Sequence, residues 1–97
     1  MTNIKDIKKT LAANKKDLIV KYKVKRIGVF GSFVKGKQKK KSDVDILVEF
    51  RETVDFFEFL DLEEHLEKLL GIKVDLVTKR ALKPFIKNNI LKDTVYV

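Results

Sequence analysis

Apolar residues recur along residues 3–23 at the spacing of an α-helix. They are separated by about three, four or seven positions, and lysines fill the opposite face. This period predicts one amphipathic helix, with Asn3 as its N-cap and its apolar stripe against the core. The residues of the stripe are Ile4, Ile7, Leu11, Leu18 and Tyr22.

Three later segments have the composition of β-strands. The first is residues 24–30, the second residues 44–50 and the third residues 72–78. The second segment is almost continuously apolar, which is typical of a central strand in a sheet. Residues 95–97 predict a short edge strand.

Two further helices are predicted after the second strand. Residues 55–70 carry an apolar stripe, Asp55 and Glu58 resemble a capping pair, and Gly71 suits the position that ends the helix. Pro84 predicts the start of a last helix of about two turns. The residues of this helix that we expect to face the core are Ile86, Ile90 and Leu91.

A chain of 97 residues with 44% hydrophobic residues can bury one small core, so we expect a single domain over residues 1–97. The economical packing is an α/β (α+β) fold in which helices cover a small mixed β-sheet. The link between the first two strands, residues 31–43, has room for a short helix after Ser32, which Gly36 would end.

The net charge of +8 is unevenly distributed. Residues 1–41 have fourteen Lys/Arg and two acidic residues, a balance of +12, whereas residues 42–97 have eight Lys/Arg and twelve acidic residues, a balance of −4. This asymmetry favours a phosphate-rich ligand or an acidic partner. The alternative is a lysine enrichment of genomic or thermophilic origin.

Cysteine is absent, so the chain forms no disulfide and holds no metal through thiolates. No apolar run approaches the roughly 20 residues of a membrane span, and the N-terminus lacks the apolar segment of a signal peptide. These features favour the reducing cytoplasm and no membrane partner.

Two aspartates lie one residue apart at the start of the second predicted strand. Side chains two positions apart in a strand share a face, about 7 Å apart, so Asp43 and Asp45 present their carboxylates together. Asp75 lies inside the third predicted strand, and if that strand pairs with the second, the three carboxylates meet and suit Mg²⁺, including a two-ion site. The alternative is a set of solvated acids, although a charge inside an apolar strand is costly unless paired or metal-bound.

A Gly-Ser pair and a lysine-rich loop follow the first predicted strand. Gly31 permits a sharp turn and close approach to a ligand, and a helix beginning at Ser32 would offer free amides to phosphate oxygens. The alternative is an ordinary turn. Lys35 lies nearest the turn and suits a phosphate, whereas residues 37–41 also fit a solvated loop. Ser42 is assigned to the same nucleotide site, although it also suits a turn.

Together, Gly31-Ser32, the Ser-Asp-Val-Asp run at 42–45 and the in-strand Asp75 resemble the nucleotidyltransferase superfamily that includes DNA polymerase beta. The short length and the Val-Tyr-Val ending look like its minimal branch, the MNT proteins. The resemblance extends from about residue 24 to the last residue. The combination of motifs is specific for this superfamily, whereas any one of them alone is not.

The resemblance implies a nucleotidyltransferase fold and Mg²⁺-dependent transfer of a nucleoside monophosphate from a triphosphate to a hydroxyl. Asp43 and Asp45 would bind the metal, Asp75 would join them and help to activate the acceptor, and Gly31 and Ser32 would bind the triphosphate. Minimal members often act as antitoxins beside a HEPN-domain ribonuclease toxin. Some resemble protein adenylyltransferases that move AMP from ATP to a tyrosine of the toxin.

One position departs from the family pattern. Lys35 stands where an arginine is usual, which keeps the charge but loses the two-pronged contact with phosphate.

Other functions stay open at this point. A non-catalytic module could neutralise a partner by covering it through Phe56, Phe57 and the acidic helix. A nucleotidyltransferase acting on RNA or on a small molecule is less favoured, because the chain has no aromatic and basic platform for single strands. The sequence is also compatible with a homo-oligomer. The single histidine, His65, has no second histidine for a metal pair and is interpreted as structural or solvated.

Overall fold

The computed structural model of the protein describes residues 3–97. Within this range, no helix has both the length and the apolar character needed to cross a membrane. Two 3₁₀ turns, Gly31–Phe33 and Lys79–Ala81, follow the first and third strands. The helices and strands are α1 (Ile4–Ala13), α2 (Lys15–Tyr22), β1 (Val24–Phe30), β2 (Val44–Phe50), α3 (Phe56–Leu70), β3 (Val74–Thr78), α4 (Pro84–Asp93) and β4 (Val95–Tyr96).

The four strands form one mixed sheet in the order β3-β2-β1-β4. β1 pairs antiparallel with β2 and with β4, whereas β2 and β3 pair in parallel. The apolar β2 is central, and the short β4 is an edge strand, as predicted. The expected α/β fold with a small mixed sheet is confirmed.

The helices α1, α2 and α3 contribute their apolar stripes to one face of the sheet. Alternate residues of the strands point to this face, as the two-residue period of a strand requires. The resulting core cluster contains Ile7, Leu11 and Leu18 from α1 and α2, Leu62, Leu66 and Leu70 from α3, and Ile27, Val29, Val44, Ile46, Val48, Val74 and Leu76 from the strands. We call this side of the sheet the helical face.

The opposite side of the sheet, which we call the open face, carries the intervening strand residues. By alternation it receives Asp45, Leu47 and Glu49 from β2 and Asp75 from β3. Leu47 is fully buried there, whereas Asp45 and Glu49 are half-buried and Asp75 is exposed. The polar side chains of the central strand therefore lie on the face that the core does not use.

The N-terminal segment is two helices, so the prediction of a single helix over residues 3–23 is wrong. Asn14 leaves helical geometry, with φ −107° and ψ 8°. Its side-chain amide donates to the Thr10 carbonyl at 2.8 Å, a local bond by which asparagine competes with the helical ladder. The predicted apolar stripe still faces the core on both sides of Asn14, because Ile7, Leu11 and Leu18 are all fully buried.

The segment after β1 and the C-terminal helix also differ from expectation. The predicted short helix after Ser32 is a 3₁₀ turn of three residues, and β3 begins at Val74, two residues later than predicted. α4 has ten residues instead of about two turns, and none of them is buried. The predicted core contacts of α4 are wrong because this helix lies outside the core cluster. Its apolar residues Ile86, Ile90 and Leu91 are only partly buried.

The predicted starts of α1, α3 and α4 and the predicted stop of α3 are confirmed, but Gly36 ends no helix, because the 3₁₀ turn before it stops at Phe33. Asn3 accepts from the Asp6 amide at 2.9 Å. Asp55 and Glu58 form a complete capping box at the start of α3, and Gly71 ends that helix in the left-handed conformation. Pro84 occupies the first turn of α4.

Replacing Leu66 with alanine should destabilise the protein by about 2–5 kcal/mol, because it opens a cavity in the core cluster. Leu60→Ala is the matched control: Leu60 lies on the same helix but is 38% exposed, whereas Leu66 is fully buried. Urea denaturation of both variants measures the difference. Equal losses would mean that α3 is not packed as described.

Candidate active site

Gly31 directly follows β1 and has a backbone conformation that favours glycine. Its φ is +76°, in the region that other residues adopt only with strain. A Cβ at this position would also collide with the carboxylate of Asp45. The two residues are neighbours because Phe30, which precedes the glycine, pairs with Asp45 across the β1–β2 ladder. The Gly-Ser turn and a predicted metal ligand are therefore in direct proximity.

The 3₁₀ turn after β1 is anchored on both sides. The side chain of Phe33 is buried in the core cluster. The Lys35 amide donates to the Gly31 carbonyl at 3.2 Å, and the Lys37 amide donates to the Ser32 carbonyl at 2.9 Å. The first amides of a helical turn have no acceptor within it, so they can donate to an anion. Because this turn has only three residues, it offers free amides but lacks the dipole of a full helix.

Asp45 and Asp75 are register partners in the parallel β2–β3 pair. Neighbouring strands lie about 4.8 Å apart, so these two side chains share one patch of the open face. Burial raises the pKa of Asp45 above its ordinary value of 3.8, and the negative charges of Asp75 and then Asp43 raise it further. The patch therefore concentrates negative charge, and a bound cation would reduce the repulsion between the carboxylates.

The residues present fit Mg²⁺ in their chemistry but do not form a closed cage. Within residues 3–97, no three His, Cys, Asp or Glu side chains are grouped closely enough to hold a metal ion. Asp43 precedes β2 and is exposed, as is Asp75. Magnesium commonly uses one or two carboxylates and completes its shell with water and substrate phosphates, which suits an open site of this kind. The site for one or two ions stays a prediction.

The remaining predicted nucleotide ligands have structural partners. Lys35 extends its ammonium to within 3.8 Å of a carboxylate oxygen of Asp93, at the end of α4. The Ser42 hydroxyl accepts from the Lys39 amide at 2.7 Å and closes the lysine loop. Ser42 therefore shapes a turn, which was the alternative interpretation of this residue.

Asp93 is the residue near the site that sequence reasoning missed. It lies on the last helix, and nothing in its local sequence indicates that α4 brings it to Lys35. His65 is half-buried and stacks on Tyr22 with ring centroids 4.7 Å apart, which agrees with its structural interpretation.

The sequence model of the nucleotidyltransferase domain family matches residues 5–97. This chain belongs to that family. A relative named protein adenylyltransferase MntA, from Thermococcus cleftensis, is 48% identical over 97 residues, which cover 100% of this chain and 98% of the relative. The chain is therefore a nucleotidyltransferase of the MntA type.

Solved structures agree with this assignment. One described as a candidate minimal nucleotidyltransferase is 31% identical, with a TM-score of 0.75 over 92% of this chain and 93% of that one. Another is a toxin–antitoxin structure with AMP-PNP, which is 27% identical with a TM-score of 0.73 over 91% of this chain and 69% of that one. The nucleotidyltransferase fold implied by the sequence is confirmed.

Replacing Asp45 with asparagine should stabilise the metal-free protein at neutral pH. A carboxyl group whose pKa is higher in the folded chain binds more protons there, so stability falls as the pH rises from about 3.8 through the folded pKa, and it stays lower above that window. Asparagine removes this penalty while preserving the shape of the side chain. In chelator at neutral pH, calorimetry should show a melting temperature a few degrees above that of the unsubstituted protein.

Asp61→Asn, at an exposed position of α3, is the control and should change the melting temperature little. A lower melting temperature for Asp45→Asn would show that the carboxylate is not under electrostatic strain. Added Mg²⁺ should stabilise the unsubstituted protein more than the Asp45 variant.

Proposed function

We propose that this chain is a Mg²⁺-dependent protein adenylyltransferase that transfers AMP from ATP to a tyrosine hydroxyl of a HEPN-domain toxin, and that it acts in the cytoplasm as the antitoxin. The observation that carries the proposal is the approach of the Gly31 backbone to the Asp45 carboxylate, beside Asp75. This arrangement supports the proposal, because a turn that suits phosphate and carboxylates that suit magnesium would both be within reach of one nucleoside triphosphate.

The triphosphate would be held by the turn amides of Gly31 and Ser32 and by the ammonium of Lys35. The α-phosphate would then lie beside Asp45, because Asp45 lies against the turn. Lys35 is half-exposed and its ion pair with Asp93 is long, so it can exchange that carboxylate for phosphate oxygens.

The carboxylates of Asp43, Asp45 and Asp75 would hold Mg²⁺, which when bound neutralises charge on the phosphates. Asp75 lies on the edge strand β3 and is exposed, so an incoming hydroxyl can reach it. In the proposed step Asp75 accepts the hydroxyl proton, the acceptor oxygen bonds to the α-phosphorus, and the bond to pyrophosphate breaks. Pyrophosphate leaves with the electron pair.

The choice of a protein acceptor is supported by the comparisons. The Thermococcus relative is named a protein adenylyltransferase, and its aligned residues span nearly its whole length. The match to a toxin–antitoxin structure with AMP-PNP supports both a toxin partner and an adenine nucleotide. The HEPN class and the tyrosine follow from the family resemblance.

A second candidate function is neutralisation by binding alone. Phe56 and Phe57 begin α3 and are 68% and 75% exposed, in an edge-to-face pair with centroids 6.3 Å apart. Two such rings are a suitable anchor for a protein partner. In this alternative the carboxylates would have no role in neutralising the toxin.

The deciding experiment uses α-labelled ATP, Mg²⁺ and a HEPN-domain toxin encoded beside this chain or beside a close relative. We expect label on the toxin, and we expect Asp43→Asn and Asp45→Asn each to lower the transfer rate at least 100-fold while toxin binding is retained, because charge stabilisation of this kind contributes several kcal/mol to catalysis. Mutating the acceptor tyrosine should abolish labelling.

Asp61→Asn serves as the control carboxylate and should transfer AMP at the normal rate. Neutralisation of the toxin by the Asp43 and Asp45 variants, with no label on any acceptor, would reject catalysis and support neutralisation by binding.

Replacing Lys35 with arginine should lower the KM for ATP several-fold, because the guanidinium restores a two-pronged contact with phosphate. Lys35→Gln should raise the KM about tenfold, since it removes a charge-assisted bond. Steady-state kinetics measures both. Lys39→Gln, in the same loop, is the control; if it raises the KM as much as Lys35→Gln, the loop acts through its total charge and Lys35 has no specific role.

A further inference from the structure

A groove of about 620 Å³ runs along the edge of the sheet between α1 and β4. Its apolar lining comes from Ile4 and Ala12 of α1 and from Tyr96 and Val97 at the last strand. Three lysines on exposed positions of α1 line it as well: Lys5, Lys8 and Lys9. The groove thus combines an apolar floor with a cationic rim.

The carboxylates that this chain could offer to the groove are largely engaged elsewhere. In the described part of the chain, most acidic side chains of residues 42–97 form ion pairs with basic residues outside the groove, accept amides of β3 or cap α3, whereas Asp43, Asp45, Asp61 and Asp75 do none of these. The ion pairs are Lys23 with Glu52 and Glu58, Arg26 and Lys79 with Glu49, Lys35 with Asp93, Arg51 with Glu52, and Lys68 with Glu64. Glu67 and Glu63 accept from the amides of Val74 and Leu76.

The lysines of the groove take no part in these ion pairs. Within residues 3–97, Lys5, Lys8 and Lys9 have no carboxylate within 4 Å. The acidic helix α3 of a second copy is a weaker complement, because Glu58, Glu63, Glu64 and Glu67 already have partners and only Asp61 of its acidic side chains has none among the described residues. An acidic segment of a different protein would complement the rim better.

We propose that this groove docks an acidic amphipathic helix of the protein that accepts AMP. An apolar stripe would fill the floor at Ile4 and Val97, and glutamates or aspartates flanking the stripe would meet the lysines. A helix fits better than an added strand, because β4 has only two residues and offers little edge for strand pairing.

RNA is the less favoured occupant. Stacking of bases needs free aromatic faces, but among residues 3–97 Tyr96 is the one aromatic residue lining the groove, and the Arg26 guanidinium covers one face of its ring, 4.0 Å from the centroid. The other lining side chains of the floor are aliphatic, and they bury apolar surface better than they bind nucleotides.

The groove opens at the β4 edge of the sheet, where Ile4 and Val97 pack against the core cluster, so an acceptor docked in it would reach the open face around the short edge strand β4. β4 pairs with β1 at Gly28 and Val29. These residues precede Gly31 by three and two positions, which is about 10 and 7 Å along a strand. The identification of the occupant as the acceptor rests on the proposed function, whereas the preference for an acidic helix rests on the groove alone.

The direct test is fluorescence anisotropy with a labelled synthetic peptide of about five helical turns, with leucines in one stripe and glutamates on both flanks. We expect saturable binding that weakens as salt rises. The triple variant Lys5→Gln, Lys8→Gln, Lys9→Gln should weaken binding at least tenfold. These positions are exposed, so the fold is retained, and circular dichroism checks it.

The matched control removes three exposed lysines of α2, by Lys15→Gln, Lys16→Gln and Lys21→Gln, and should change binding less than twofold. A peptide with glutamine in place of glutamate should bind at least tenfold more weakly than the acidic peptide, and so should a scrambled acidic peptide without the apolar stripe. Equal losses for both triple variants, equal binding of the three peptides, or no saturable binding would each overturn the proposal. Tighter binding of a single-stranded RNA, lost in the α1 variant, would also overturn it.

Because the peptide assay contains no ATP, it separates this proposal from the proposed function. Peptide binding could depend on the α1 lysines while no AMP is transferred to any protein. That result would support the docking groove and reject only the assignment of its occupant as an acceptor. Transfer to the toxin that is unaffected by the α1 variant, at toxin concentrations below saturation, would reject that assignment as well.

Discussion

A half-buried carboxylate in the central strand sets the arrangement of the rest of this molecule. Asp45 lies on the open face of β2, and its neighbours Val44 and Ile46 are fully buried on the helical face. A slip of one residue would turn the charge into the core and the two apolar side chains out of it, so this register is strongly specified. The same register brings Gly31 and Asp75 to Asp45, which means that the core and the candidate active site are fixed by one strand.

The division between two faces explains how a small domain tolerates a destabilising site. The helical face contains the continuous core cluster, so the free energy of folding depends chiefly on α1, α2, α3 and the residues beneath them. The open face carries mutually repelling carboxylates, which raise the pKa of Asp45 and oppose folding at neutral pH. A bound cation or nucleotide acts only on that face and would add stability without rearranging the core.

Local patterns predicted most of this arrangement from the sequence. The alternation around Asp45 and Asp75 predicted that both share one sheet face if the third strand pairs with the second, and the structure has that pairing. The capping residues Asp55 and Gly71 marked the ends of α3. The break at Asn14 was not predictable from the stripe, because Leu11 and Leu18 keep helical spacing on both sides of it. The exposure of α4 and the contact of Asp93 with Lys35 are tertiary outcomes, since they depend on where a helix lies against the sheet and not on its own period.

The distribution of charge links the candidate active site to the groove. Within residues 3–97, most carboxylates of the C-terminal half are used for internal ion pairs, for β3 amides or as the cap of α3, whereas Asp45 and Asp75 lie together on the open face without an ion pair. Lys5, Lys8 and Lys9 of α1 are cations that have no carboxylate within 4 Å among the same residues. Uncompensated charge of either sign attracts a ligand of opposite sign. One such patch suits a metal–triphosphate and the other an acidic protein, and since only β1 and the two-residue β4 separate β2 from the groove edge, a protein bound in the groove would approach the nucleotide around that edge of the sheet.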